Sequence, residues 1–171
     1  MRDMRLTLRE ISYRSASEFL DDTALRNEIN QILLHPDTDL SSLSRVQFNH
    51  ILMNRFKESG WQSYPSLFHE PVNPFAKIEL IKEDIGLEIG FRHASHIGHN
   101  LLKFQLSAAH NSDTIKVGIF VVTTTNFQKQ MKMQFNQNWS GSMNYEKVER
   151  YLRNFKRTFV MPICLIGIDV A

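Results

Sequence analysis

Residues 78–91 read IELIKEDIGLEIGF and contain two β-type segments, IELI and IGLEIGF, on either side of the charged turn KED. Aliphatic and β-branched segments flanking a short polar turn predict a β-hairpin. Each segment carries one carboxylate, Glu79 in the first and Glu88 in the second. The hairpin would place both residues on adjacent strands of one sheet. An unpaired carboxylate is expensive to bury, so the pattern leaves open a solvent-facing or salt-bridged structural role and a shared divalent ion.

Periodicity predicts the elements around this hairpin. Helical spacing of apolar residues predicts helices over 15–35, 41–61, 93–110 and 144–157, and continuous β-branched segments predict strands over 114–124 and 159–170. The residues expected to face the core are Phe19, Leu20, Ala24, Ile29, Ile32, Leu33, Leu43, Val46, Ile51, Leu52, Phe56, Ile97, Leu101, Phe104, Ala108, Tyr145, Val148, Leu152 and Phe155. The order of elements predicts an α/β fold: a mixed sheet flanked by helices, with a helical crossover after the hairpin.

Length, composition and charge limit the possible classes of protein. The 171 residues, 42% of them hydrophobic, suit one domain spanning 1–171. The lone Cys164 lies in an apolar segment, which indicates a core thiol and a reducing, cytoplasmic location. No apolar stretch reaches the length of a membrane span. The net charge is +2 overall, but residues 114–171 carry 8 basic and 3 acidic side chains, a balance compatible with a phosphate-facing surface.

The chain resembles the BglII-like branch of the PD-(D/E)xK restriction endonucleases. The resemblance runs through a helix ending in FNHILMNRFKESGW, the hairpin with its two acids, a following helix, and strands similar to IKVGIFVV and MPICLIGID. It implies a restriction-endonuclease-like fold and a nuclease that cuts double-stranded DNA with Mg²⁺, or with Mn²⁺. It further implies a homodimer acting on palindromic sites.

Carried over by position, the resemblance implies that Glu79 and Glu88 are the two metal-binding acids, together with a backbone carbonyl such as that of Ile89. The family's third position is Lys in most members and Gln in the BglII-like branch, but Gly90 stands here. A glycine has no side chain to orient the attacking water. The candidate replacements are Lys103, ranked first, and then Lys82, Lys77 and Gln105.

Other polar residues carry separate hypotheses. Asp84 is expected to serve the hairpin turn. His93, His96 and His99 recur at three-residue intervals, and either a zinc or nickel site or a polar groove lining would explain them. The tract at 123–142 is expected to be a polar loop that contributes to base readout through Asn126 and meets phosphates through Lys129 and Lys132, or a plain connecting loop.

The sequence therefore predicts a divalent-metal-dependent endonuclease with Glu79, Glu88 and Lys103 at its centre. Gly90 supports one rival: a nuclease-fold protein that has lost catalysis and binds only DNA or a protein partner. The retained pair of acids argues against that rival, because a site without catalytic duty has little physical reason to keep two carboxylates in apolar strands. Nothing in the sequence identifies the DNA site that is cut.

Overall fold

The computed structural model describes residues 4–21, 24–63, 77–109 and 115–171, and the side chains of 108 and 109 lie outside the described residues. The helices are α1 Ala16–Asp21, α2 Leu25–Leu33, α3 Arg45–Glu58, α4 Ile97–Ala109, α5 Thr125–Phe135 and α6 Tyr145–Asn154. The strands are β1 Leu6–Tyr13, β2 Leu80–Lys82, β3 Ile85–Ile89, β4 Val117–Thr123 and β5 Ile163–Val170. Short 3₁₀ turns cover Leu40–Ser42 and Ala94–His96.

The strands form one mixed sheet in the order β1-β5-β4-β3-β2. β3, β4 and β5 are parallel, and the outer strands β1 and β2 are antiparallel to their neighbours. β4 is the central strand, and all seven of its residues are buried, as its continuous apolar sequence predicts. The helix α4 connects β3 to the parallel β4, which confirms the predicted crossover.

The predicted hairpin is confirmed. β2 pairs with β3 so that Leu80 lies opposite Leu87 and Lys82 lies opposite Ile85. Glu83 in the turn has a φ of 54°, in the left-handed region. Asp84 accepts a backbone hydrogen bond from Lys116 and forms an exposed ion pair with its side chain. Asp84 thus ties the turn to the segment leading into β4.

Both faces of the sheet are covered by apolar clusters. One cluster includes Phe48 and Phe56 of α3 together with Trp61, which follows α3. The other includes Phe104 of α4 and Phe120 of β4. Cys164 is buried and free, as predicted. Within the described part of the chain, no helix has both the length and the apolar character to cross a membrane.

Several predictions of core residues are wrong. Val46, Phe19 and Phe155 are 76%, 46% and 47% exposed, and Ala24 is exposed. Phe48 is fully buried although the sequence analysis did not place it in the core. Phe48, Leu52 and Phe56 recur every four residues and form the buried stripe of α3, and Val46 lies outside that stripe. Ala108 cannot be compared, because its side chain is outside the described residues.

Three predictions of elements are also corrected. The strand β1 was not predicted, because its sequence LTLREISY mixes charged with apolar residues; its partner β5 makes it a strand. The single helix expected over 15–35 comprises two helices, α1 and α2. The tract at 123–142 is not a loop throughout, because α5 occupies 125–135: the Thr124 hydroxyl accepts from the N–H of Phe127 at its start, and Asn136 ends it at a φ of 53°.

Candidate active site

The carboxylates of Glu79 and Glu88 meet across the hairpin. Glu79 directly precedes the pair formed by Leu80 and Leu87, and Glu88 directly follows it, so the antiparallel register sets the two acids opposite each other. β2 begins only at Leu80, and the Glu79 side chain takes the place of a ladder bond: its Oε2 accepts from the N–H of Ile89 at 2.8 Å. The sequence pattern thus brings both acids to one end of the hairpin.

Lys103 from α4 contacts Glu88. Its Nζ lies 2.5 Å from Glu88 Oε1 and donates to the carbonyl oxygen of Lys77 at 3.0 Å. The two side chains are only 8% and 1% exposed. The contact is an ion pair without hydrogen-bond alignment, so Glu88 Oε1 has no aligned hydrogen-bond partner among the residues that the structure describes.

This cluster joins two carboxyl groups to one ammonium group. The pKa of Glu88 is raised to about 8, mainly by burial and also by the neighbouring Glu79, while the Lys103 ammonium opposes both effects. Burial also raises the pKa of Glu79, against the hydrogen bond from Ile89 and the charges of Lys103 and Arg92. Two carboxylates thus share one close ammonium, an arrangement that favours a further cation.

The other candidates for the third position are engaged elsewhere. Lys82 donates to Glu28 at 2.7 Å and to the carbonyl of Ser59 at 2.6 Å. Gln105 accepts from the N–H groups of residues 160 and 161 with its side-chain oxygen. Lys77 is exposed and contributes its backbone carbonyl to Lys103. Of the four candidates, Lys103 is the one in contact with a site carboxylate in the described structure.

Gly90 has no room for a side chain. A Cβ built there would lie 2.5 Å from the ring of Phe120 and 2.6 Å from Sδ of Met143. Both distances are far below van der Waals contact, so these two core side chains occupy the direction in which the family's third residue would extend. The packing of core side chains against β3 therefore favours glycine at position 90, where the family has Lys or Gln.

Beside the carboxylates lies a groove of about 620 Å³. One face of α3 forms a wall, Glu79 lies in the lining, and the segment 91–96 forms the other side. The basic side chains among its lining residues are Arg45, His50, Arg92, His93 and His96. A concave surface with this many basic groups beside an acidic pair suits a polyanion held against the carboxylates.

Hydrogen bonds hold the two rims of this groove together. Arg45 Nη1 donates to Ser142 Oγ at 2.8 Å. The N–H of Met143 donates to the carbonyl of Arg92, and the N–H of Ala94 donates to that of Gly141, each at 2.8 Å. Arg45 and Arg92 were not predicted from the sequence, because isolated arginines in separate segments form no pattern until the fold brings them together.

The three histidines do not converge on a metal. His93 caps the 3₁₀ turn, where its Nδ1 accepts from the N–H of Ser95, and His96 lines the groove. Across the described ranges no group of three or more His, Cys, Asp or Glu side chains could hold an ion. Groove lining is therefore the role that the geometry gives to His93 and His96.

The predicted DNA contacts lie on α5. Lys129 and Lys132 are exposed. Asn126 donates its side-chain amide to Asp169 Oδ1 at 2.8 Å and to the carbonyl of Val170 at 3.1 Å. None of the three is among the residues that line the groove.

Comparison with known proteins identifies close structural counterparts. The family described as restriction endonuclease BglII/BglIII matches residues 8–168. The crystal structure of restriction endonuclease BglII complexed with a DNA 16-mer superposes with a TM-score of 0.72 and 20% identity, over 94% of this chain and 75% of that chain. Free BglII gives 0.65 and 21%, over 94% and 78%. No curated protein sequence matches the chain.

The mixed sheet, with its paired acids at the end of a hairpin and a helix crossing behind them, has the restriction-endonuclease fold. The match over nearly the whole length makes the assignment specific: the chain belongs to the BglII/BglIII restriction endonuclease family. It is a sequence-specific type II DNA endonuclease. The predicted family and fold class are confirmed.

Proposed function

We propose that the enzyme hydrolyses DNA phosphodiester bonds with a divalent ion, Mg²⁺ or Mn²⁺, held by Glu79, Glu88 and the carbonyl oxygen of Ile89. The observation that carries this proposal is the meeting of Glu79, which lines the groove, with the buried Glu88 beside a single close ammonium. The donor set fits, because carboxylate and carbonyl oxygens are the ligands that Mg²⁺ prefers and Glu88 Oε1 lacks an aligned hydrogen bond. When bound, such an ion acts as a Lewis acid on the phosphate oxygens.

Lys103 is the cation of the site in this proposal. In hydrolysis a bond forms between the water oxygen and phosphorus, one bridging P–O bond breaks, the water loses a proton and the leaving oxygen gains one. Negative charge builds up on the phosphoryl oxygens as this happens, and a fixed ammonium in a buried site stabilises it. Lys103 is already held in place by Glu88 and the carbonyl of Lys77, so little reorganisation accompanies the reaction.

The groove is the proposed seat of the DNA backbone. Arg45 and Arg92 line the same groove as Glu79, and arginine binds phosphate oxygens with directional, paired hydrogen bonds. BglII, which shares the fold, has been crystallised with a DNA 16-mer. Lys129 and Lys132 on α5 are proposed as peripheral phosphate contacts. Asn126 remains a proposed base contact, one that requires release of its hydrogen bonds to Asp169 and Val170.

The oligomeric state and the cellular location are proposed as well. Each chain carries one pair of acids, and a double-strand cut at a palindrome needs two, so we propose that the enzyme works as a homodimer with two-fold symmetry. We also propose that residues 1–171 act as one nuclease domain. The buried, unpaired thiol of Cys164 supports a reducing, cytoplasmic setting.

A library of duplex DNA of diverse sequence, incubated with Mg²⁺, Mn²⁺ or Ca²⁺, tests this function. We expect cleavage at one recurrent sequence with Mg²⁺ or Mn²⁺, and its loss in Glu79→Ala while DNA binding in Ca²⁺ persists. Light scattering on the protein with its cut sequence should give the mass of two chains plus one duplex. Salt-sensitive binding without cutting by the wild-type protein would favour the rival proposal of a binding protein that has lost catalysis.

A further inference from the structure

The wall that α3 gives to the groove carries uncharged as well as basic side chains. The residues of α3 in the lining are Arg45, Val46, Asn49, His50 and Met53. A groove that held only the phosphate backbone would be lined by cations and by hydrogen-bond donors. Arg45 and His50 suit that role. Val46 has no polar atom in its side chain, so phosphate binding does not explain its place in the lining.

Val46 and Asn49 form an apolar and polar pair within the groove. They are three residues apart on α3, a spacing that makes their side chains neighbours on the helix surface. Val46 is 76% exposed, and Asn49 is partly exposed. The side-chain amide of Asn49 makes no hydrogen bond within the described part of the chain, whereas that of Asn126 is bonded to Asp169 and Val170.

A single exposed valine is ordinary on a protein surface. An exposed valine beside an unbonded amide, both in a basic groove, indicates a ligand that offers an apolar group next to a donor and an acceptor. The major-groove edge of an A·T base pair has this composition. Adenine presents the N7 acceptor and the N6 donor, which an asparagine amide binds with two hydrogen bonds, and thymine presents its C5 methyl group to an apolar side chain. A G·C pair has no methyl group there.

We propose that Val46 and Asn49 determine the sequence specificity of the enzyme by binding one A·T base pair, Asn49 at the adenine and Val46 at the thymine methyl group. The inference rests on the proposed seating of the DNA in the groove. Arg45 lies one turn before Asn49, and its bond to Ser142 Oγ at 2.8 Å holds its guanidinium group. A phosphate contact by Arg45 would set the register in which Asn49 meets the base.

Selection of bound duplexes from a random library in Ca²⁺ tests the role of Asn49 without any need for cutting. We expect the wild type to select an A·T pair at one position of each half-site. Asn49→Ala should reduce the preference for adenine at that position by roughly tenfold or more, the lower range for loss of a bidentate base contact. The rest of the selected sequence should not change. Alanine favours a helix, so the unfolding midpoint of the variant should not fall.

The matched control is Asn54→Ala. Asn54 is an exposed asparagine on the same helix, but it is not among the residues that line the groove. This variant should select the same sequence as the wild type, with the same preference for adenine.

Uracil in place of the thymine tests Val46, because the two bases differ only by the methyl group. The wild type should bind the uracil duplex about fourfold more weakly, the equivalent of one buried methyl group. Val46→Ala should bind the thymine and uracil duplexes within about twofold of each other, since it no longer contacts that group.

An unchanged preference for adenine in Asn49→Ala would overturn the inference. Equal weakening of all duplexes by that variant would also overturn it, because Asn49 would then support the fold or contact the backbone. A wild type that tolerates uracil at every thymine would remove Val46 from the proposal. Absence of cutting by the wild type with any metal would overturn the proposed hydrolysis but not this inference, which is measured by binding.

Discussion

Two lysine–glutamate pairs flank the β2–β3 hairpin, and they differ in how completely their charges are satisfied. Lys82 and Glu28 lie 2.7 Å apart with side chains about a quarter exposed. Glu28 also accepts from Trp61 Nε1 at 3.0 Å, and Lys82 donates to Ser59. Every charge in that pair has a partner and some access to water. The pair therefore fastens α2 and the end of α3 to the hairpin.

The pair of Lys103 and Glu88 lies in an almost fully buried environment with a second carboxylate beside it. Two carboxyl groups there share one ammonium group, and one oxygen of Glu88 lacks an aligned hydrogen bond. A fold gains little from such an arrangement, because the desolvation of buried ionisable groups offsets their attraction. The second carboxyl group, rather than the presence of an ion pair, distinguishes the proposed active site from the structural pair.

The largest expected effect is the difference between Glu88 and Glu28 in their contribution to the cleavage rate. Glu88→Ala should lower the cleavage rate by roughly 10,000-fold, because lost charge stabilisation of several kcal/mol translates at 1.36 kcal/mol per factor of ten. Glu28→Ala should keep the rate within about threefold of the wild type for the folded fraction, as expected away from the reacting groups. Single-turnover cleavage of the cognate duplex measures both. Equal losses in the two variants would contradict the comparison.

The next effect concerns the two lysines and stability. Lys103→Met should lower the free energy of unfolding by about 3 kcal/mol, because it leaves buried carboxylates without their cation. Lys82→Met should cost about 1 kcal/mol, since its partner Glu28 keeps some access to water and the hydrogen bond from Trp61. Urea denaturation at pH 8.5 with EDTA provides both values. If Lys82→Met proves the more damaging change, the structural pair outweighs the pair in the proposed active site in folding.

A smaller effect concerns the pH dependence of stability. The pKa of Glu88 is about 8 in the folded protein against an ordinary value of 4.5, so the folded state holds a proton that the unfolded state releases. The associated stability is fully present below about pH 4.5 and is lost as pH rises through about 8. Urea midpoints of metal-free protein should therefore fall between pH 5 and 8.5.

Glu88→Gln should flatten most of that decline, and the matched change Glu28→Gln should retain it. The pKa of Glu79 is also raised, so a residual slope of the same sign is expected in Glu88→Gln. A wild-type midpoint that increases steadily from pH 5 to 8.5 would show that Glu88 is stabilised as a carboxylate in the folded protein.

The smallest effect concerns the side of the hairpin that faces the groove. Arg92→Ala should weaken DNA binding several-fold and reduce the slope of log affinity against log salt by about one unit, as expected for one phosphate contact. Lys82→Met, away from the groove lining, should leave both values unchanged. Fluorescence anisotropy with a labelled duplex in Ca²⁺ at several salt concentrations measures them. An unchanged slope for Arg92→Ala would place the DNA elsewhere, with Lys129 and Lys132 as the next surface to test.

Local patterns were sufficient for the hairpin, for the crossover helix and for the central strand. IELIKEDIGLEIGF specifies its own turn, and VGIFVVT has no polar residue before its last position to expose. The same patterns misplaced Val46 and Phe19, because an apolar residue in an amphipathic helix faces the core only if the helix is rotated toward it. They also missed β1, whose mixed sequence LTLREISY becomes a strand through its pairing with β5.

The amino-acid pattern was enough to predict the family, the mixed sheet and the adjacency of Glu79 and Glu88. That adjacency is predictable because the register of a short hairpin depends on neighbouring residues. The choice of Lys103 from four candidates required the folded structure, since it depends on which face α4 turns toward β3. The fold also brings Arg45 and Arg92 into one groove and closes the space at Gly90. Such contacts join residues far apart in the chain, and their side chains meet only after the helices have packed on the sheet.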